Sequence, residues 1–352
     1  MFDNIQVIGS YPFIARKRTG LFSLDMALSG RGVLGAPMRS IYELYGYPNS
    51  GKSTLSYYLA GVLANQPEVA ICDLELADME YIHSAVGMSG FSGIVRLMDL
   101  QDEKKRAATH EQAMAQMVEC LAGDAGSSIL DSVGAIQPIA EAAGDFGEAF
   151  VGKRAKLVAQ VARALSGALR LKDEEAVAFV INHTHQIIGG RGHTTAGGET
   201  LKYMAGVRIM IWTEEVIKDS KEENALGFVV GGQVEKLRFG GRGRSFNYYI
   251  VPGLGVHPGA SAMFDCFALG LAKRDSVVKL DGKSMGYLKK DLLEYAMTGK
   301  SRKFEPFVEA LAQYEETLKY AKETKDEDSN KRKGRKAKVE TDTDSAETGS
   351  ED

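Results

Sequence analysis

Eight consecutive residues, Gly46-Tyr47-Pro48-Asn49-Ser50-Gly51-Lys52-Ser53, match the spacing G-x4-G-K-[ST]. Glycines at both ends of such a loop let backbone N–H groups curl around a chain of phosphates, and the start of the following helix adds positive potential. In this arrangement Lys52 reaches the β- and γ-phosphates, and the Ser53 hydroxyl goes to Mg²⁺. A carboxylate at the end of another strand must then hold the metal's water shell. Asp131, closing Ser-Ser-Ile-Leu-Asp, stands where that acid is needed. Hydrolysis asks for one more carboxylate, beside the γ-phosphate, to orient the attacking water. Glu75 closes the apolar run from Val69 and is the preferred candidate. Asp73 competes with it, because alternation along a strand puts both on one face.

A second constellation invites metal chemistry. His183, His185 and His193 hold three of the six histidines in an H-x-H-x7-H pattern. Zinc needs its ligands held rigidly, with outer partners fixing each ring. His183 and His185 can share one side of a strand end, but His193 lies beyond Ile-Ile-Gly-Gly-Arg-Gly, a poor scaffold for a third ligand, and no cysteine stands nearby. The competing reading is a glycine-rich loop that carries imidazoles, and it is preferred.

The elements that must position these residues alternate in type. Apolar, β-rich runs at 40–46, 69–75, 94–98, 127–132 and 176–182 are separated by helical patterns at 52–65, 78–86, 110–123 and 152–171. Uninterrupted apolar strands alternating with helices predict an α/β protein, its mostly parallel twisted sheet flanked by helices on both faces. Runs at 207–212, 227–239 and 244–251 follow with short connections, which predicts hairpins extending the sheet. The expected organisation is an N-terminal segment over 1–30, the nucleotide-binding core over 31–260, a small C-terminal α/β domain over 261–320 and a tail over 321–352.

Composition bounds the class. The 352 residues are 44% hydrophobic and 26% charged, ordinary for a globular chain. No run approaches the roughly 20 apolar residues of a membrane span, the N-terminus lacks the pattern of an export signal, and three scattered cysteines suit neither a disulfide framework nor a thiolate zinc site. A cytoplasmic location is expected. The net charge of −4 hides an asymmetry: six of residues 331–338 are basic, and six of the last fourteen are acidic. Such a tail cannot offset the entropy of ordering and is expected to be disordered. It serves either as a solubilising appendage or as an acidic flap that competes with a polyanion for basic surfaces.

Several of these motifs together resemble the RecA recombinases. The stretch TGLFSLDMALSGRGVLGAPMRSIYELYGYPNSGKSTL is similar to the opening of that family's core. ILDSVGAIQPIAE is similar to its second nucleotide motif and the start of its first DNA loop, and INHTHQIIGG with HTTAGGETLKYMAGVRI to its second DNA loop and the following helix. The resemblance covers roughly residues 19–300. The histidine of INHT and the run VEKLR are closest to the phage UvsX branch, which implies a host cytoplasm as location.

The resemblance implies a RecA-like P-loop ATPase core and carries roles onto particular residues. Gly46, Ser50, Gly51, Lys52, Ser53 and Thr54 would hold ATP, Glu75 would be the catalytic glutamate, and Asp131 the Mg²⁺-associated aspartate. Asp78 and Tyr81 fall near the adenine-contacting pair. His183 takes the place of the residue that senses the γ-phosphate, and Lys236 and Arg238 match cations that reach the neighbouring subunit's nucleotide; by themselves those two read equally as a solvated strand face. The first DNA loop would span 141–152, followed by Lys156 and Arg163 two helical turns apart on one face, where ordinary surface charges are the plainer alternative. The second loop would span 183–198, with Ile188 as an apolar wedge between bases, Arg191 as a flexible cation, and Gly197 and Gly198 as backbone donors to phosphate. A glycine-rich chain with a wedge and small hydroxyls suits single-stranded DNA without reading base edges.

The implied function is an ATP- and Mg²⁺-dependent, DNA-stimulated ATPase. It would form a helical filament on single-stranded DNA, with ATP at the subunit interfaces, and exchange strands with a homologous duplex in recombination, repair and recombination-dependent replication. Single-strand-binding and loader proteins are its implied accessory partners. Two alternatives share the core: a ring-forming helicase or related ATPase, and a DNA-binding mediator filament that does not hydrolyse ATP.

Overall fold

The computed structural model describes residues 15–30, 33–98, 109–142, 152–172, 175–186, 193–218, 225–238, 240–241, 243–274, 277–286 and 301–318. The chain enters through a small antiparallel ladder, β1 (Arg16–Lys17) on β2 (Ala36–Pro37), with helix α1 (Phe22–Ala27) between its strands. Strand β3 (Ser40–Gly46) is buried at all of its positions, as a strand covered on both faces must be. Helix α2 (Lys52–Leu63), strand β4 (Glu68–Asp73), helix α3 (Met79–Gly87) and strand β5 (Ile94–Leu97) follow. Helix α4 (His110–Ala122) starts on a capping box, with the side chains of Thr109 and Gln112 each accepting from the other's backbone N–H. Strand β6 (Ala125–Asp131) is again buried throughout. The short α5 (Ile139–Ala142) and the long α6 (Lys153–Leu171) precede strand β7 (Val177–Gln186), strand β8 (His193–Thr195) and helix α7 (Glu199–Met204).

Three strands then run as a meander: β9 (Val207–Lys218), β10 (Ala225–Leu237) and β11 (Arg244–Val251), with β12 (Gly255–Val256) closing the edge. The resulting sheet has the order β12-β11-β10-β9-β3-β7-β6-β4-β5, with β8 pairing β7. Strands β5, β4, β6, β7, β3 and β9 are mutually parallel, and the hairpins add antiparallel strands at one side. This is the mixed α/β architecture the strand–helix alternation predicts, although β9 runs on to Lys218, well past the expected end at 212.

Alternation along the strands divides the core in two. Tyr42, Leu44, Ile71, Ile129 and Phe179 face α1, α2 and α3. Ile41, Ala70, Cys72, Leu130 and Val180 face α4, α6 and α7. Lys172, buried after α6, donates from Nζ to the carbonyls of Leu121, Gly123 and Ala125 at 3.2, 2.7 and 2.5 Å, which satisfies the chain where α4 ends and β6 begins. Leu21, Leu24, Ala27 and Leu28 are fully buried in the first core, so α1 packs as part of the nucleotide-binding core although it falls within the expected N-terminal segment.

Beyond the sheet come helix α8 (Pro258–Ala268), a three-stranded antiparallel sheet of β13 (Ala272–Arg274), β14 (Val278–Leu280) and β15 (Lys283–Gly286), and helix α9 (residues 305–318). Met263, Phe264, Phe304, Phe307 and Leu311 share a third core with Phe22, Tyr249 and Val251. The boundary expected at 260/261 therefore falls inside α8, and the C-terminal elements lean on β11 and α1 through a common apolar layer. The expected tail, 321–352, lies outside the described residues.

Candidate nucleotide site and DNA-facing elements

The loop between β3 and α2 lies at the carboxyl end of the parallel strands, where open α/β sheets place their ligands. Its glycines are required by space. A Cβ on Gly46 would lie 2.1 Å from the Ile211 carbonyl oxygen of neighbouring β9, and Gly51, the N-cap of α2, has φ +86°. Asn49 takes φ +59°, a conformation asparagine tolerates better than most residues. Lys52 Nζ donates to the Tyr47 carbonyl at 2.6 Å. Burial lowers its pKa, against the pull of Asp131 and Glu75.

Asp131 is buried at the end of β6. Burial pushes its carboxyl up to about 6, opposed by the Ser53 and Tyr57 hydroxyls and reinforced by the charges of Glu75 and Asp73. Tyr57 donates to Oδ2 at 3.0 Å, whereas Oδ1 is buried with no hydrogen-bond partner among the described residues. An unmatched carboxylate oxygen beside the Ser53 hydroxyl fits a hard, oxygen-seeking cation such as Mg²⁺. Tyr57 carries no motif, but it stands one helical turn beyond Ser53, and that spacing is the signal that could have found it.

Glu75 and Asp73 separate clearly. Asp73 Oδ1 accepts from Glu75 N at 3.0 Å and Oδ2 from Ala77 N at 2.6 Å, so this carboxylate builds the turn after β4. Glu75 projects from that turn into the cleft, where its Oε1 accepts from the Ser132 hydroxyl and from His183 Nε2, the latter at 3.2 Å. Burial raises the Glu75 pKa, but hydrogen bonds from Ser132 and His183 and the charges of His183 and Lys52 outweigh it and leave it below the ordinary value. A carboxylate only accepts, so this contact assigns the proton to His183 Nε2. Nδ1 is buried without a partner among the described residues.

These groups line one cleft of about 470 Å³. Residues Pro48 to Thr54, Glu75, Tyr81, Asp131 and His183 form one side, and Thr213, Phe228, Val230, Ile250 and Pro252 the other. The second wall comes from β9, β10, β11 and the residue after it; no local motif marks it. Tyr81 shares a hydrogen bond of 2.6 Å with Thr54. Asp78 sits just outside as the N-cap of α3, accepting from the N–H groups of Glu80 and Tyr81, a role its place before the helix could have signalled.

The remaining predicted residues lie elsewhere. Lys236 Nζ donates to the Lys202 and Tyr203 carbonyls at 2.6 and 2.9 Å, and Arg238 to those of Tyr203 and Met204 at 3.1 and 3.3 Å. In their own chain, then, both cap the C-terminus of α7, and neither lines the cleft. Lys156 and Arg163 are exposed on α6. Gly197 and Gly198 have φ +85° and +78°, and a Cβ on Gly197 would meet Val133 and Val158 at 2.9 and 3.0 Å, so packing alone calls for glycine there. Ile188, Arg191 and residues 143–151 of the first expected loop lie outside the described residues. Among the described residues no three histidine, cysteine or acidic side chains gather as a metal would need, and no helix is long and apolar enough to cross a membrane.

A P-loop between a parallel strand and a helix, with a carboxylate at the end of another parallel strand of the same sheet, defines an α/β protein of the P-loop class. Sequence comparison narrows this. The family model of the RecA N-terminal domain matches residues 11–239. The RecA protein of Leifsonia xyli subsp. xyli is 31% identical over 276 residues, covering 76% of this chain and 72% of that protein. The RecA proteins of Symbiobacterium thermophilum and Mycobacterium ulcerans are 34% and 35% identical over 210 and 216 residues. Those two matches cover 58% and 59% of this chain and 56% and 57% of the relatives' own lengths. The chain belongs to the RecA family. A crystal structure of the RadB recombinase superposes with a TM-score of 0.47 at 20% identity, over 68% of this chain and 97% of that one, too slight a likeness to add to the assignment.

Proposed function

We propose that the protein is an ATP-dependent DNA recombinase that forms a filament on single-stranded DNA and exchanges strands with a homologous duplex. One observation carries this reading: Glu75, the carboxylate of the cleft, is held by His183 at 3.2 Å, and His183 belongs to the strand that runs directly into the glycine-rich segment 187–198. Nucleotide chemistry and the expected DNA loop thus share one strand.

In the proposed reaction Glu75 orients the attacking water, its anionic state kept by Ser132, His183 and Lys52. Lys52 counters charge developing on the phosphates. Ser53 and Asp131 would hold Mg²⁺, which when bound neutralises phosphate charge. Lys236 and Arg238, absent from their own chain's cleft, would complete the site of the next subunit, in the manner of an arginine finger given in trans. Burial and the charges of Arg238 and Arg208 push the Lys236 pKa down, the mark of a cation cluster that gains from an incoming anion. Lys156 and Arg163 would face the DNA backbone, with Ile188 and Arg191 acting from the second loop. His183 and the run Val234 to Arg238 support a place near the phage UvsX branch.

The test is electron microscopy of the protein with long single-stranded DNA, Mg²⁺ and a non-hydrolysable ATP analogue, followed by a strand-exchange assay. Continuous helical filaments, lost in Lys52→Ala, are expected. Closed rings would point instead to a helicase-like assembly on the same core.

A further inference from the structure

The strand β7 presents its residues alternately to the two sides of the sheet. His183 faces the nucleotide cleft, whereas Asn182 is fully buried on the opposite side, towards α6 and α7. Its amide is saturated. Nδ2 donates to Glu43 Oε1 and to the Ala196 carbonyl, each at 2.9 Å, and Oδ1 accepts from the backbone N–H of His183 at 2.9 Å. Both Nδ2 partners can only accept and the Oδ1 partner can only donate, so the amide has a single satisfied orientation.

Each partner belongs to a different working part. Glu43 lies on β3, three residues before Gly46, and is clamped by Arg208 Nε at 2.5 Å across the β3–β9 pairing. Gly46 is itself paired with His183 across β3 and β7. Ala196 stands on the limb returning from the second expected DNA loop, directly before Gly197, which lies against Val133 and Val158, and Gly198, which lies against Ala155. The returning limb borders, through Thr194 and Thr195, a cavity of about 210 Å³ also lined by Tyr45, Thr184 and Arg208. The hydroxyls of Thr184 and Thr195 are buried there without partners among the described residues. The returning limb therefore has room to shift, and one buried amide ties it both to the backbone of His183 and to the strand that delivers the phosphate loop.

We infer that Asn182 is a positioning residue that couples nucleotide state to the grip of the second loop on DNA. A shift of His183 with the nucleotide moves a peptide whose N–H is held by Asn182, and the same side chain then relocates the Ala196 carbonyl. The inference rests on the proposed recombinase reading and supplies its transmission element.

The experiment measures binding of fluorescein-labelled oligo(dT) to the full chain without nucleotide and with a non-hydrolysable ATP analogue, and analogue binding with and without oligo(dT). Coupling is reciprocal, so both measurements give one factor, for which about 5–150-fold is typical. In Asn182→Ala the factor should fall to within about threefold of unity, while analogue affinity without DNA stays within about threefold of the parent. Should that variant not fold, Asn182→Ser decides in the same way, since its shorter side chain cannot reach both the Glu43 carboxylate and the Ala196 carbonyl. A folded variant that retains the parent's coupling, or that loses analogue binding outright, overturns the inference. A parent protein without coupling would overturn the recombinase reading itself. A purely structural role would lower the melting temperature and leave the coupling factor unchanged.

Discussion

Replacing Glu75 with glutamine separates catalysis from folding at a single atom. The glutamine carbonyl oxygen can still accept from Ser132 and from His183, so the cleft keeps its shape, but the charge proposed to orient the attacking water is gone. Loss of a positioned base lowers turnover by about 10²–10⁴-fold, equivalent to about 2.7–5.5 kcal/mol of barrier. Nucleotide affinity should hold within about threefold, because removing a negative charge near the phosphates does not weaken their binding. Asp73→Asn is the companion. It spoils one of two backbone contacts in the turn and should cost about 1–2 kcal/mol of stability, with turnover falling less than tenfold. The assay is phosphate release at saturating ATP with single-stranded DNA, beside calorimetric binding of a non-hydrolysable analogue. Turnover of Glu75→Gln within about threefold of the parent, or a larger loss in Asp73→Asn, would refute the assignment. The pH profile offers a second check. Burial raises the Glu75 pKa, but its hydrogen bonds and neighbouring cations win and set it below the ordinary carboxylate value. Its charge, and the stability that charge brings, are thus present above the unfolded pKa and lost only as pH falls through the lower folded value. Between about pH 5 and 7 the Glu75 contribution to turnover should be flat.

Three other outcomes are expected. A Lys236→Ala/Arg238→Ala double variant should lose at least about 10³-fold in DNA-stimulated turnover. Mixed in equal amounts with Glu75→Gln, which keeps nucleotide binding and its own cation pair, it should regain roughly a quarter of parental activity, since random head-to-tail assembly pairs one intact cleft with one intact cation pair at that frequency; no recovery would refute donation in trans. Lys172→Met removes the ammonium from three carbonyls and should lower stability by about 2–4 kcal/mol in a denaturant titration; a loss under about 0.5 kcal/mol would contradict the capping role. Burial, with the Asp25 charge adding to it and the Ser23 hydrogen bonds opposing, pushes Asp265 up to about 7. Because that folded pKa exceeds the unfolded one, the native state binds the extra proton and stability falls as pH rises from about 4 to 7. Asp265→Asn should therefore gain about 1–4 kcal/mol above pH 7, vanishing towards pH 4; a gain independent of pH would contradict it.

Much of the architecture was legible because a parallel sheet covered on both faces leaves uninterrupted apolar runs, and β3 and β6, buried at every position, are such runs. The phosphate loop was equally legible, since its spacing is short and Gly51 takes φ +86°, a local conformation that few residue types accept. Other features were not. Alternation puts Asp73 and Glu75 on one face and cannot tell them apart; the turn does, by spending both oxygens of Asp73 on backbone N–H groups. Asp78, expected near adenine, also caps α3, through its Oδ1 alone. Phe228, Val230 and Ile250 form a wall of the cleft only because the meander β9–β11 folds beside β3.

By itself the sequence determined the family, the class of fold and the loop that can hold phosphates, because each is written in short spacings and in backbone conformations that few residue types accept. The tertiary structure decided which groups meet across long separations: His183 with Glu75, Tyr57 with Asp131, and Asn182 with both Glu43 and Ala196. Such pairings depend on strand order and register, and a one-residue slip in either would turn each side chain to the other face of the sheet.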